Sequence, residues 1–287
     1  MSDALVVRDL CKTYGDFALD AVSFCLPAGN IMGFVGQNGA GKTTTIRLIL
    51  NMAARDGGEI KVFGLDNLRD EMAIKQELGA VFDEIFFVDT WRVREVEKVV
   101  SGFYSGWDSK LYNSYLHRFK LAPEKRVKEL SRGMKMKLML AVAMSHEAKL
   151  LILDEPTSGL DPVARDELLD ILREYIADKE KSVFFSTHIT SDLERIADHI
   201  TLIDHGRIFY TGAKDGLLQH FCIIKGRKED LTDTLKRKLV GFSLTAAGFS
   251  GMIRCAQAAD LPETMTKEAP DIDEILVYIS KGGARHE

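Results

Sequence analysis

The chain has 287 residues, of which 46% are hydrophobic, so it can bury the core of one large domain or of a large domain with a small one. Its formal net charge of -5 argues against nonspecific binding to nucleic acid or to an acidic lipid surface. The longest apolar runs, such as residues 138–144, are far shorter than the ~20 residues of a membrane helix, and the N-terminus has no signal-peptide pattern.

The four cysteines, Cys11, Cys25, Cys222 and Cys255, show neither C-x-x-C nor paired spacing. This distribution suits a reducing cytoplasm. Cys11 and Cys25 fall in apolar runs, so we expect both to be small core residues.

The first part of the chain alternates short apolar runs with polar turns. Residues 5–10, 22–26 and 59–63 predict strands of an antiparallel sheet. Between them, residues 31–35 predict a buried strand and residues 45–50 predict the start of a helix.

The loop that joins this strand to this helix reads G-Q-N-G-A-G-K-T-T and is called the phosphate loop below. A glycine-rich loop between a strand and a helix lets backbone N–H groups surround a phosphate, and the helix dipole faces the same anion. Lys42 is expected to reach the β- and γ-phosphates, and the Thr43 hydroxyl is expected to ligate Mg²⁺. The predicted nucleotide-binding residues here are Gly36, Asn38, Gly39, Ala40, Gly41, Lys42, Thr43 and Thr44.

The middle of the chain, residues 68–148, predicts a mainly helical subdomain. The α/β alternation then returns, with a buried strand at 150–153 and helical spacing over 168–176. A strand at 183–186, a helix at 191–197 and a hairpin around residues 204–206 complete a domain predicted to span residues 1–218. Residues 219–287 predict a small C-terminal accessory segment.

Two acids follow the predicted strand 150–153 directly. In an open α/β sheet the ligand lies beyond the carboxyl ends of the strands, so this strand delivers Asp154 and Glu155 to the phosphates. Asp154 would hold Mg²⁺, which prefers oxygen ligands. Glu155 would accept a proton from the attacking water.

A second candidate anion site lies at 130–134, the segment L-S-R-G-M that precedes an apolar helix. The Ser131 hydroxyl and the N–H groups near Gly133 combine with the positive end of the helix dipole. A phosphate loop alone is compatible with kinases, GTPases and many ATPases. The three motifs together, in this order, favour anion binding as the role of 130–134.

These motifs, with 158–161 (S-G-L-D) and His188, resemble the ordered motifs of ATP-binding-cassette (ABC) ATPases over about residues 3–218. The resemblance implies an α/β P-loop fold with a RecA-like core, an antiparallel β subdomain and an α-helical subdomain, followed here by a small C-terminal appendage. It also implies a head-to-tail dimer, in which each ATP lies between the phosphate loop of one subunit and Ser131 and Gly133 of the other.

Further roles rest on the same resemblance. His188 would contact the γ-phosphate and position water or Glu155, so the implied catalytic residues are Glu155, His188 and Lys42. Asp161 would cross the dimer interface. Tyr14 lies where the family stacks an aromatic ring on adenine, with Phe17 as the second choice.

The chain departs from the family pattern at two motifs. The family usually has a glutamine where this chain has Asp83, whose carboxylate can offer oxygen to Mg²⁺ but adds negative charge beside the phosphates. The signature motif usually reads L-S-G-G-Q, whereas Arg132 and Met134 stand here for glycine and glutamine. The combination resembles a bacterial branch associated with export and antibiotic response.

The sequence therefore predicts the ATP-hydrolysing subunit of an ABC transporter, with ATP and Mg²⁺ as cofactors. The expected partners are a second ATP-binding subunit, identical or related, and a separately encoded transmembrane permease, with no nucleic acid. The expected location is cytoplasmic, on the inner face of the membrane. The alternatives are a soluble ABC ATPase acting on ribosomes or DNA, and a nucleotide-dependent regulatory switch.

Overall fold

A computed structural model describes residues 3–258, 261–262 and 264–283. These residues form two compact units that divide after Thr211. The helices are α1 (Lys42–Ile49), α2 (Glu71–Gln76), α3 (Val93–Val100), α4 (Ser109–Arg118), α5 (Arg132–Ala143), α6 (Pro162–Tyr175), α7 (Thr190–Ile196), α8 (Lys214–His220), α9 (Asp233–Lys238) and α10 (Ile272–Gly283). The strands are β1 (Asp3–Tyr14), β2 (Phe17–Pro27), β3 (Ile31–Val35), β4 (Gly57–Val62), β5 (Leu65–Asp66), β6 (Leu78–Val81), β7 (Leu150–Leu153), β8 (Ser182–Thr187), β9 (His199–Asp204), β10 (Arg207–Ala213), β11 (Phe221–Gly226), β12 (Leu239–Thr245), β13 (Gly248–Arg254) and β14 (Thr266–Glu268).

The first unit is built on a six-stranded sheet in the order β10-β9-β3-β8-β7-β6. The pairs from β6 to β9 are parallel. Every residue of β3, β7 and β8 is buried, as expected for central parallel strands covered on both faces. Because these strands are parallel, their carboxyl ends meet at one edge of the sheet, and the phosphate loop and the two acids follow there.

An antiparallel sheet in the order β2-β1-β4-β5 lies beside the central sheet. A ring cluster joins the two sheets: the centroid of Phe24 in β2 lies 5.5 Å from those of both Phe34 in β3 and Phe184 in β8. The strands β1 and β2 are longer than the runs 5–10 and 22–26 that predicted them. Both strands carry exposed polar residues near their ends, so apolar runs alone underestimate their length.

The segment from α2 to α5 is mainly helical, as predicted, but it also contains β6, which belongs to the central sheet. The helix α5 buries seven residues, among them Leu138, Leu140 and Val142. Within the described residues, no helix is both long and apolar enough to cross a membrane.

The second unit folds around its own antiparallel sheet, in the order β12-β13-β11-β14. Its core includes Ile224, Leu235, Phe249 and Ile253. The sequence predicted a small folded segment here without its strand order.

The cysteines differ from the sequence expectation. Cys222 and Cys255 form a disulfide across a sequence separation of 33. Cys25 is exposed and Cys11 is only partly buried, so the expectation that both lie in the core is wrong. The apolar run around Cys25 belongs to a β-strand whose alternate side chains face outward, and Cys25 lies on the outward face.

Candidate functional site

The phosphate loop follows β3 and enters α1 through Gly41. Gly41 has φ of 112°, in the left-handed region that side chains rarely adopt, and it caps the N-terminus of α1. A Cβ on Gly36 would lie 2.3 Å from the carbonyl oxygen of Ile203, so only glycine fits where the loop passes β9. The loop therefore directs the free N–H groups at the start of α1 into a cavity, as an anion site requires.

The cavity has a volume of about 560 Å³ and opens at the carboxyl edge of the central sheet. It is lined by Phe17, Asn38, Gly39, Gly41, Lys42, Thr43, Thr44, Asp83, Glu155, Ser158 and His188. The structure thus brings together nine of the predicted site residues around one space, which we call the phosphate cavity. An open cavity at a loop-helix junction, lined by Lys42 and by the hydroxyl residues Thr43 and Thr44, suits the phosphates of a nucleotide.

Lys42 is a nearly buried cation at the base of the phosphate cavity. Its Nζ donates to the carbonyl oxygens of Gly36 at 2.8 Å and of Gln37 at 3.2 Å. The same Nζ lies 3.2 Å from Oε1 of Glu155. The ammonium group is therefore held in place by the loop itself and by the acid that follows β7.

Glu155 is held from both sides. Its Oε1 faces Lys42, while its Oε2 lies 2.7 Å from Nδ1 of His188, which donates the hydrogen bond when this nitrogen carries the proton. The backbone of Glu155 has φ of 49°, a conformation that costs a non-glycine residue on the order of 1 kcal/mol or more. Strained backbone that the surrounding contacts maintain is typical of catalytic positions.

Ser186, at the end of β8, links the two acids. Its hydroxyl donates to Oδ1 of Asp154 at 2.6 Å and accepts a hydrogen bond from the Glu155 backbone N–H at 2.9 Å. Asp154 is buried, and it is not among the described residues that line the phosphate cavity. The apolar run 183–186 predicts Ser186 only as part of a strand. A polar residue at the carboxyl end of a buried parallel strand was the signal that could have identified it.

A second buried network supports the turn after the acids. Asp192, fully buried at the start of α7, accepts from the Thr157 hydroxyl at 2.6 Å and from Nε of Arg165 at 2.6 Å. This carboxylate fastens the segment after Glu155 to the helix that follows His188. No sequence pattern had singled out Asp192, because its role depends on contacts between distant segments.

The remaining predicted residues lie away from the cavity lining that the described residues form. Gly36 and Ala40 belong to the phosphate loop without lining the cavity. The Ala40 carbonyl oxygen accepts a hydrogen bond from the backbone N–H of Gly206 at 3.1 Å. Tyr14 is 47% exposed, with Nζ of Lys12 positioned 5.0 Å from its ring centroid. Phe17, the second choice for the adenine-stacking ring, lines the cavity instead.

Ser131, Gly133 and Asp161 lie at the starts of two other helices. The Ser131 hydroxyl caps α5 by accepting from the backbone N–H of Met134 at 3.3 Å. The Asp161 carboxylate caps α6 by accepting from the backbone N–H groups of Val163 and Ala164. Gly133 fits between these helix starts, since a Cβ there would lie 3.2 Å from Cβ of Ala164. These residues do not complete the phosphate cavity of their own chain.

Several oxygen donors lie at or near the cavity. Thr43 and Asp83 line it, and Asp154, which precedes the lining residue Glu155, is buried and hydrogen-bonded to Ser186. All offer oxygen, which Mg²⁺ prefers. No group of three or more His, Cys, Asp or Glu side chains gathers into a metal cage anywhere in the described ranges. This set fits a cation that takes most of its ligands from phosphates and water.

A phosphate loop, a buried ammonium group and an acid held between that ammonium and a histidine define the nucleotide site of a P-loop ATPase. Comparison with known proteins narrows this class. Residues 19–158 match the family described as ABC transporter. The bacitracin transport ATP-binding protein BcrA of Bacillus licheniformis is 33% identical over 211 residues, which cover 72% of this chain and 69% of that protein.

Two further comparisons support the same family. The Nod factor export ATP-binding protein I of Rhizobium etli is 34% identical over 254 residues, covering 81% of this chain and 71% of that protein. A solved ATP-binding subunit of an ABC transporter superposes with a TM-score of 0.68 at 28% identity, over 75% of this chain and 91% of that one. The chain belongs to the ABC transporter ATP-binding family, and it is an ATPase whose reaction is coupled to transport.

Proposed function

We propose that the phosphate cavity binds ATP with Mg²⁺ and that Glu155 is the general base of hydrolysis. The observation that carries this proposal is the placement of the Glu155 carboxylate between Nζ of Lys42 and Nδ1 of His188 at the cavity wall. Bound Mg²⁺ would neutralise charge that develops on the phosphates. Glu155 accepts the proton of the attacking water, and His188 holds the carboxylate in orientation.

The other phosphate contacts follow from the loop. Lys42 and the N–H groups at the start of α1 bind the β- and γ-phosphates, and Thr43 with Asp154 and Asp83 supplies oxygen toward Mg²⁺. Phe17 lines the cavity, which supports it over Tyr14 as the ring that contacts adenine.

The second half of each site comes from another copy of the chain or from a related subunit. Ser131 and Gly133 form an anion site at the start of α5, yet they lie off the lining of the cavity in their own chain. Asp161 sits at the start of α6, where it would cross the interface. A γ-phosphate held from both sides couples ATP binding to closure of the dimer.

The transport step requires a membrane partner, and both named relatives are transport proteins. Both names favour transport over a role on ribosomes or DNA and over a regulatory switch, and the name of the Nod factor export protein supports export as the direction. The chain would then act at the inner face of the membrane, bound to a separate permease subunit.

An apolar groove is the proposed docking surface for that permease. The groove has a volume of about 200 Å³ and its lining includes Met52, Ile74, Phe82 and Tyr104. Phe86 packs edge-on against Phe82, with ring centroids 5.2 Å apart, and is 68% exposed. A groove with exposed aromatic and methionine side chains at its rim fits an apolar helix face of the partner.

The base role is tested with Glu155→Gln, which keeps the size of the side chain but removes its basicity. We expect turnover to fall ~10²- to 10⁴-fold while binding of a fluorescent ATP analogue is retained. Glu229→Gln, an exposed change of the same kind, is the control and should turn over like the wild type. Wild-type turnover in the Glu155 variant would remove this residue from the role of base.

Docking is tested by co-purification of the permease from membranes with Phe86→Ser. We expect less permease to be recovered, while ATP binding stays at the wild-type level. Leu244→Ser, in the second unit, is the control for loss of an exposed apolar side chain. Equal recovery with both variants would exclude the groove as the docking surface.

A further inference from the structure

Two of the three positions that depart from the family pattern, Asp83 and Arg132, meet in space. Arg132 donates from Nη2 to Oδ1 of Asp83, across a sequence separation of 49. Both side chains are 47% exposed. The two substitutions are therefore one structural feature, an ion pair between the signature segment 130–134 and the turn after β6.

Each end of this ion pair belongs to a functional segment. Asp83 lines the phosphate cavity together with Lys42 and Thr43. Arg132 is the first residue of α5, next to the cap residue Ser131. The guanidinium also lies against Gly159, where a Cβ would be 3.1 Å from Cζ of Arg132. One side chain thus contacts both the cavity wall and the turn that precedes α6.

The negative charge of the carboxylates at the cavity explains what the positive charge of Arg132 contributes. Asp83 and Glu155 line the cavity, the buried Asp154 precedes Glu155 in the chain, and the cation Lys42 lies 3.2 Å from Glu155. The phosphates of a nucleotide are anionic, so each uncompensated carboxylate opposes their binding. Arg132 neutralises the carboxylate that the family pattern lacks.

We propose that Arg132 is a positioning residue for the ATPase reaction that acts through Asp83. It compensates the charge of Asp83, so that this oxygen donor can face the nucleotide without weakening its binding. It also ties the signature segment to the phosphate cavity of the same chain. The inference rests on the proposed ATP site in that cavity.

The expected change in KM is small, because both side chains of the ion pair are exposed to solvent. An exposed ion pair contributes about 0.2 to 1 kcal/mol, which corresponds to a roughly one-and-a-half- to fivefold change in an equilibrium constant. We therefore expect Arg132→Gln to raise KM for Mg-ATP by roughly two- to fivefold at low salt. Arg132→Lys keeps the charge and should keep KM close to the wild-type value. Lys135→Gln, which removes a cation one turn further along α5, is the control and should not change KM.

Rescue distinguishes a role through Asp83 from a purely structural one. In the double variant Asp83→Asn with Arg132→Gln, KM should return toward the wild-type value, because no uncompensated carboxylate remains. Asp83→Asn alone should bind Mg-ATP at least as well as the wild type, since the amide still offers an oxygen. The difference between wild type and Arg132→Gln should shrink as salt is raised, because salt screens exposed charges.

Two results would overturn the proposal. One is an unchanged KM in Arg132→Gln, and the other is a raised KM that Asp83→Asn does not lower. Failure of the proposed ATP site itself would appear differently, as wild-type turnover and wild-type KM for Mg-ATP in Lys42→Ala. The two failures are therefore separable in the same assay.

Discussion

At the scale of single residues, the placement of both acids depends on Ser186. Its hydroxyl is the donor to Asp154 and the acceptor for the Glu155 backbone N–H, and the residue is fully buried. Removing a partner from a buried polar group costs about 1–3 kcal/mol. Loss of the hydroxyl therefore affects stability and the orientation of Asp154 together.

We predict that Ser186→Ala lowers the urea midpoint of unfolding and raises the Mg²⁺ concentration needed for half-maximal ATP hydrolysis. Ser182→Ala is the matched control, because Ser182 is also buried in β8 and its hydroxyl accepts from the Gly29 N–H at 3.0 Å. That variant should lose stability without a change in Mg²⁺ requirement. An unaltered Mg²⁺ requirement in Ser186→Ala would contradict the role assigned to this hydroxyl.

The placement of a residue was predictable where a local motif follows a strand. Lys42, Glu155 and His188 belong to segments that follow predicted strands, and all three line the phosphate cavity, while their catalytic roles stay predictions. Roles that depend on contacts between distant segments, such as that of Asp192, left no local signal. Phe17 shows the same limit, because which ring reaches the cavity depends on the register of β1 and β2.

At the scale of elements, the helical segment contains a buried histidine. His146 stacks on Tyr104 with ring centroids 3.7 Å apart, and its Nε2 has no hydrogen-bond partner among the described residues. Burial lowers the pKa of His146 below its usual value of 6.5. The folded chain therefore holds this imidazole neutral at a pH where the unfolded chain protonates it.

The folded and unfolded states bind different numbers of protons at His146, and this difference sets the direction in which pH changes the free energy of unfolding. Below about pH 6.5 the unfolded state binds a proton that the folded state excludes, so His146 lowers the free energy of unfolding as pH falls. The slope from this one group is at most about 1.4 kcal/mol per pH unit. We predict that His146→Phe, which keeps the ring stack, reduces the stability difference between pH 8 and pH 5.5 in urea unfolding. An equal difference in both proteins would show that His146 does not cause the acid sensitivity.

The elements themselves were predictable to different degrees. Central strands such as β7 and helices such as α6 have continuous or periodic apolar patterns, and the structure places them where the sequence indicated. Strand ends were predicted less well, since solvent-facing polar residues extend β1 through Tyr14. A two-residue strand such as β5 carries too few residues to show a pattern.

At the scale of the whole molecule, the ordered motifs predicted the cassette fold, and the family comparison confirmed it. The sheet of the second unit could not be predicted, because its strand order depends on pairings such as β11 with both β13 and β14. The Cys222–Cys255 disulfide was missed for the same reason, since the fold and not the spacing brings the two residues together. The domain boundary at 218/219 and the role of the second unit stay predictions.

The central claim is that two subunits share each ATP site, and mixing two inactive variants tests it most directly. Lys42→Ala disables the phosphate loop, and Ser131→Ala disables the proposed second anion site. In a mixed dimer, one site combines both defects and the other combines an intact loop with an intact Ser131. We predict that each variant alone is nearly inactive and that an equal mixture recovers about one quarter of wild-type turnover, since half of randomly paired dimers hold one intact site. Turnover of the mixture no higher than the mean of the two variants would contradict a site shared between subunits.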